Sequence, residues 1–444
     1  MPDQKEQPNL FPEIRERIDK GPLVAGQIII IAVCMLLNMS DGFDVVAMSI
    51  AVTPLSEAWA IPRPELGVIL SAALLGMCFG AMFLAPLSDV IGRRKIVIIS
   101  MCLITASMFA TAYATSVIQL VIIRTIAGLG IGAILAAATS IASEFSPERL
   151  RNFAVSIIVC GYPIGMTIVG PVAGYILEHY NWETIFLVCG WTNLVLLILS
   201  ILFIPESIEF LASRKNNPEQ RLQNINRLLA RIKREPIDTL PEVIGTTGQQ
   251  QMTIVEAIKS LLVPKFASTT IRLWIIFFCG FLALYFCVSW IPKLFVESGY
   301  TLAEGISALT WFNLGGVLGI IGMSLATTRY QLKSAIVPMF ATSAVVMLVF
   351  ALLKPTDIIQ LNALIFFIGI TLQGAFTCMY AVAARSYPTE IRTTGVGWSI
   401  GLGRFGAVVG PILVGILLLD MYALFIIFSI PMILAALLVR KFNV

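Results

Sequence analysis

Apolar runs of about 20 residues, each long enough to cross a hydrocarbon core roughly 30 Å thick, recur along nearly the whole of this chain. Inside such a core every backbone polar group must be bonded within its own segment, so runs of this length can only be helices. Twelve are read: residues 24–52, 65–87, 95–115, 117–142, 152–177, 182–204, 270–292, 303–326, 333–353, 357–383, 393–418 and 420–440. A mean hydropathy of +0.89 with 13% charged residues excludes an ordinary soluble domain. The expected fold class is an all-α membrane protein of twelve transmembrane helices in a lipid bilayer.

Charge placement predicts the orientation. With both ends of the chain in the cytoplasm, inner loops and tails hold 25 of the 30 Lys and Arg residues. The outer loops hold Arg63, Lys293 and Lys354, and Arg124 and Arg404 lie deep within spans. The reverse topology violates the positive-inside rule. The net charge of +4 is thus a topology signal, and nucleic-acid binding is not needed to explain it. Residues 1–23 read as a cytoplasmic tail, with no cleavage site after them. Residues 24–204 form a six-span half, 205–269 a cytoplasmic connection, 270–440 a second six-span half and 441–444 a short tail. Within the connection, Leu222, Ile225, Leu228, Leu229 and Ile232 recur at helical spacing over residues 218–234.

The halves repeat one another. Pro147-Glu148-Arg149-Leu150-Arg151 entering span 5 matches Pro388-Thr389-Glu390-Ile391-Arg392 entering span 11, and Gly165 and Gly174 match Gly406 and Gly415 in the same register. Paired six-span halves around a central site are a transporter architecture.

Span 1 holds the costliest residues. Asp41 and Asp44 sit within Asn38-Met39-Ser40-Asp41-Gly42-Phe43-Asp44, and each ionised carboxylate at mid-bilayer costs roughly 2.5–3.5 kcal/mol. Spaced i, i+3, they share one helix face, which must look into protein or water. Two carboxyls so close repel one another when both are ionised, so the pair is a candidate proton site. Arg124 in span 4 needs a carboxylate, carbonyl or water partner. At ~1.5 Å per residue, Asp44 lies roughly 28–30 Å from the inner end of span 1 and Arg124 about 10 Å from the outer end of span 4, so their depths coincide in a ~40 Å membrane. Arg404, midway along span 11 among small residues, has room to grip a carboxylate bidentately. A salt bridge to Asp41 or Asp44 is its competing role. Tyr285, Trp311, Asn313, Gln373, Tyr380 and Trp398 are candidates to line a pocket, with helix packing as the alternative for each.

Between spans 2 and 3 stands Ala85-Pro86-Leu87-Ser88-Asp89-Val90-Ile91-Gly92-Arg93-Arg94-Lys95. It resembles the G-x-L-[A/S]-D-R-x-G-R-R loop of the major facilitator superfamily, with Ala85 and Val90 departing from the pattern. The resemblance covers essentially the whole chain and implies two pseudo-symmetric six-helix halves. It implies gating roles for Asp89 and Arg93, and Glu144, Arg151 and Arg392 join them as candidate gating or packing charges near the inner face. Arg124 resembles the family's span 4 arginine, which implies a part in proton coupling. Asp41-Gly42-Phe43-Asp44, with Ala47 to Leu55 after it and Tyr113-Ala114-Thr115 before span 4, resembles the aromatic acid/proton symporters. These are bacterial carriers of benzoate-, hydroxybenzoate- and muconate-type acids.

The function expected is uptake of an aromatic carboxylate by proton symport across the bacterial inner membrane. Protons bind at Asp41 and Asp44, with Arg124 as coupling partner, and Arg404, with Arg124, holds the carboxylate. The protein is expected to act as a monomer, with no cofactor other than the coupling proton. Gly170-Pro171 in span 5 resembles a motif of proton-coupled drug antiporters, so antiport is the alternative, and a non-transporting membrane sensor is a distant one. Histidine-based metal or catalytic sites are not expected from a chain whose one histidine, His179, sits at a span end. All eight cysteines fall within spans without paired metal spacing and are expected to pack as small apolar residues. No phosphate-cradling loop is present, and enzymatic activity is not expected.

Overall fold

The computed structural model describes residues 12–19, 21–213, 218–238, 259 and 261–442. The side chains of a few helix residues, Asp89 and Arg392 among them, lie outside the described residues, and so do the gating roles read for those two. Among the described residues, twelve helices are long and apolar enough to span a membrane. Spans 1 to 6 are Ala25–Ala58, Arg63–Ser88, Arg93–Ala112, Val117–Phe145, Glu148–His179 and Trp182–Phe203. Spans 7 to 12 are Pro264–Glu297, Leu302–Thr327, Leu332–Leu353, Ile358–Ser386, Thr394–Leu417 and Met421–Val439. Each helix overlaps one apolar run. Spans 1 and 7, at 34 residues each, overrun their apolar cores because a helix of that length, about 51 Å, exceeds the hydrocarbon thickness.

Helix pairing carries the repeat into three dimensions. Span 1 packs on span 5, 2 on 4, and 3 on 6; in the second half span 7 packs on 11, 8 on 10, and 9 on 12. Every pair maps onto its counterpart by a shift of six spans. The halves meet along two seams that exchange under the same shift, span 2 against 11 and span 5 against 8, and span 1 also meets span 7. Span 2 is interrupted by a wide π turn over Gly80–Leu84, in which the Ala85 N–H reaches back to the Gly80 carbonyl. Pro86, just beyond, has no N–H for the regular ladder, which is the physical reason to re-route it. Gly92 then turns the chain into span 3 at φ 111°, a conformation that a β-carbon disfavours.

The face bearing the termini and the central connection is held by polar bonds. The helix Pro12–Asp19 docks there with Ile14 and Ile18 buried, within the segment the sequence reads as a tail. Arg15 donates to the carbonyls of Glu144 (3.0 Å) and Ser146 (2.9 Å) at the end of span 4, the negative pole of that helix. Asp19 accepts from the backbone N–H of Glu148 (2.7 Å) at the start of span 5, the complementary pole. The surface helix read from the spacing is present as Pro218–Arg231, with Ile225 and Leu229 buried.

Bonds between the halves gather toward the opposite face. Ser49 donates to the carbonyls of Val288 (2.7 Å) and Ser289 (3.0 Å), and Ser71 donates to that of Val408 (2.8 Å). Gly67 and Gly415 let spans 2 and 11 touch backbone to backbone: a β-carbon on Gly67 would meet the Pro411 carbonyl oxygen at 2.7 Å, and one on Gly415 the Arg63 carbonyl oxygen at 2.9 Å.

Candidate functional site

Asp41 and Asp44 leave the same stretch of span 1 in different directions. Asp44 turns to span 4, where the Arg124 guanidinium donates to its two carboxylate oxygens at 2.5 and 2.7 Å. Both side chains are 1% exposed, and the Phe186 ring lies 5.8 Å from the guanidinium. The pair is bidentate, buried and neutral overall, the geometry in which opposite charges best offset their desolvation. Asp41 has no such partner. Its Oδ1 is buried without a hydrogen bond, and its carboxyl stands on the wall of a central cavity.

That cavity measures about 410 Å³ and takes its walls from both halves, a size ordinary for a small organic ligand. It brings together five of the residues singled out from sequence: Asp41, Tyr285, Gln373, Tyr380 and Arg404. Arg404 donates only a long 3.4 Å bond to the Met77 carbonyl and makes no ion pair among the described residues. One guanidinium and one carboxyl therefore face the same cavity without being paired to each other.

Aromatic rings supply most of the remaining character. Phe281 and Phe376 meet edge to face at 4.7 Å, and Phe376 and Tyr380 at 6.0 Å. Tyr162 of span 5 and Tyr285 of span 7 join hydroxyls across the halves at 2.9 Å. Phe281, Phe376 and Tyr162 were not picked out from sequence. Phe281 lies one helical turn before Tyr285, and Phe376 lies between Gln373 and Tyr380 on one face, so helical spacing was the available signal. Tyr162 had none, because its partner is on the other half.

The other residues read as pocket candidates stand elsewhere. Arg124 is held by Asp44 and does not reach the cavity wall. Asn313 donates from span 8 to the Met166 carbonyl of span 5 at 3.2 Å and so braces the halves. Trp311 is 43% exposed and packs its edge on Phe366. Trp398 is half-buried away from the cavity.

The charges read as gating residues form a network at the terminal face. Arg93 and Glu144 make an ion pair, and Arg93 lies 3.5 Å from Glu209. Glu144 also accepts from Ser207 Oγ (2.8 Å) and from the Ile208 N–H (2.9 Å). Glu206, from a Pro-Glu-Ser stretch that discriminates little as a motif, accepts from the Arg94 N–H at 3.1 Å. Arg151 lies 3.9 Å from Asp19. All eight cysteines are free thiols, most of them buried, with Cys102 exposed and Cys160 on the cavity wall.

Comparison with known proteins gives this geometry its relatives. Residues 34–363 match the family model described as Major Facilitator Superfamily. The chain is 32% identical over 423 residues to the 4-hydroxybenzoate transporter PcaK of Acinetobacter baylyi, covering 94% of this chain and 91% of that protein. It is 28% identical to the gallate transporter of Pseudomonas putida, covering 96% of this chain and 94% of that one. Among solved structures, the xylose transporter XylE from E. coli, in a partially occluded inward open conformation, superposes with a TM-score of 0.73 at 17% identity. It covers 95% of this chain and 98% of its own; at that identity the likeness is one of fold.

Proposed function

We propose that this chain, which belongs to the major facilitator superfamily of transporters, imports an aromatic carboxylic acid together with protons by alternating access. Its membership makes it a multi-pass membrane transporter and not an enzyme. The finer reading rests on one observation: Arg404 and Asp41 face a shared, aromatic-walled cavity, while the second intramembrane arginine is already neutralised by Asp44.

Charge counting turns that observation into a coupling mechanism. In the empty cavity, Arg404 and an ionised Asp41 sum to zero. A bound carboxylate takes the sum to −1, which a low-dielectric site opposes. A proton on Asp41 restores neutrality, so acid and proton favour each other's binding. The carboxylate meets the guanidinium fork of Arg404, and the ring lies among Phe281, Phe376 and Tyr380. Asp44 and Arg124 act as a fixed brace between spans 1 and 4 that keeps Asp41 presented to the cavity.

The coupling also answers the membrane potential. An inside-negative potential opposes carboxylate uptake by about 2.3 kcal/mol per charge per 100 mV, and one co-transported proton removes that penalty for a monovalent acid. The distribution of Lys and Arg supports a terminal face on the cytoplasmic side of the membrane, which we read as a bacterial inner membrane. With that orientation, the bonds between the halves lie toward the outer face, which supports an inward-facing reading of this conformation. Gly170 packs on Thr310 at the span 5–8 seam, and the Pro411 carbonyl of span 11 faces Gly67 at the span 2–11 seam; these are packing roles that do not call for antiport. The names of the relatives, a 4-hydroxybenzoate and a gallate transporter, suit a hydroxylated benzoate.

The test is uptake into proteoliposomes with an imposed pH gradient, against a panel of labelled aromatic acids, muconate, a sugar and a cationic drug. The expected result is accumulation of at least one aromatic acid, abolished when the gradient is collapsed. Accumulation of the drug or the sugar alone contradicts the reading.

A further inference from the structure

Three cations were assigned to the face opposite the termini: Arg63, Lys293 and Lys354. Two of them stand at the seam, and both bond across it. Arg63, the first residue of span 2, donates from Nη1 to the Leu419 carbonyl (2.9 Å) and lies 3.5 Å from the Glu297 carboxylate. Its guanidinium sits 5.4 Å from the centre of the buried Trp290 ring. Lys293 of span 7 donates to Ser56 Oγ of span 1 (2.7 Å). In every one of these contacts the cation is on one half and its partner on the other, so none survives separation of the halves at this face.

Arg63 is also under-used where it stands. Its Nε and Nη2 are buried and have no acceptor, although a guanidinium carries five N–H donors in a planar fork suited to a carboxylate. When the seam parts, Arg63 leaves with the first half, while Glu297 and Leu419 leave with the second. Lys293 then loses Ser56. Each wall of the opening is left with a cation released from its partner across the seam. A carboxylate between them can bond to both and restore a contact across the halves.

We propose that Arg63 and Lys293 latch the closed seam and, when it opens, become the first capture site for the anionic substrate. The capture half of this inference rests on the reading of the chain as a carboxylate carrier; the latch half does not. On opening, Glu297 is drawn away from Arg63 and stays one helical turn from Lys293 on span 7; the exposed Glu57, Glu65 and Asp420 adjoin these contacts in sequence. Capture by two cations at a partly solvated mouth predicts an arrival rate that falls with ionic strength.

Two measurements on Arg63→Gln, Lys293→Gln and the conservative Arg63→Lys test both halves. The first places a reporter at Ser71→Cys, a position 2% exposed in the closed seam. It reads labelling by a membrane-impermeant maleimide applied to that face, over the parent chain's labelling, without substrate. The second measures initial uptake of 4-hydroxybenzoate at low salt and at tenfold higher salt. Both glutamine variants are expected to raise labelling several-fold, to raise KM several-fold and to flatten its salt dependence, whereas Arg63→Lys retains that dependence. Unchanged labelling overturns the latch. A KM that stays level or falls while labelling rises overturns capture, since a latch alone frees the outward state and tightens apparent binding. If the unaltered protein carries no 4-hydroxybenzoate, capture falls with the reading beneath it, and labelling still decides the latch.

Discussion

At the scale of residues, two aspartates three positions apart in span 1 come to serve different partners, and the consequences of replacing them differ accordingly. Asp44 and Arg124 are both 1% exposed and bonded bidentately. Removing one charge strands the other, so Asp44→Asn or Arg124→Gln is expected to destabilise the protein by about 3–5 kcal/mol. Removing both is expected to cost less than the sum of the two. Thermal unfolding in detergent measures it, and additive losses contradict the brace. Arg404 has no carboxylate partner to strand. Arg404→Gln is therefore expected to leave stability nearly unchanged while weakening acid binding by about 1.5–3 kcal/mol, roughly ten- to a hundredfold in KM. The match of depths between Asp44 and Arg124 was legible from the positions of two residues within apolar runs, because helical rise is fixed. The turn of Asp41 toward the cavity was not. A helix places i and i+3 on one face, and only the positions of the neighbouring spans decide which of the two meets an arginine and which meets a cavity.

At the scale of elements, the spans themselves were the most legible part, since hydrocarbon thickness dictates both their length and their helical state. The docked helix Pro12–Asp19 was not legible. Eight residues with two buried isoleucines carry little periodicity, and what fixes them is the exposed polar ends of spans 4 and 5. Arg15→Gln with Asp19→Asn removes both end contacts, so limited proteolysis is expected to cut the segment before span 1 more rapidly, with spans 4 and 5 left folded. An unchanged cleavage rate contradicts the docking. The seams make a sharper prediction. Gly415→Leu places a side chain where the Arg63 carbonyl and Gly67 now touch span 11, so it is expected to part spans 2 and 11 and raise labelling of Ser71→Cys several-fold. Unchanged labelling means that the backbone contact does not hold this face closed. The glycine register between Gly174 and Gly415 was visible as a repeat, but the partner of Gly415 was not, because that contact joins residues from different halves.

At the scale of the whole molecule, two six-span halves meet along equivalent seams and enclose a central cavity whose wall holds a guanidinium and a carboxyl with no ion-pair partner among the described residues. The architecture follows from the paired halves of the sequence; the cavity follows from which faces they turn toward each other, which no local pattern records. In the proposed mechanism the net charge of that cavity links acid and proton, and Asp41 carries the proton. Proteoliposomes containing a trapped pH-sensitive dye test this most directly, by recording internal acidification when 4-hydroxybenzoate is added outside, for the unaltered protein and for Asp41→Asn. Acidification in step with uptake of the acid is expected for the unaltered protein. For Asp41→Asn the expected result is exchange of the acid across the membrane with neither acidification nor accumulation. Proton movement that persists with the acid in Asp41→Asn would contradict the mechanism.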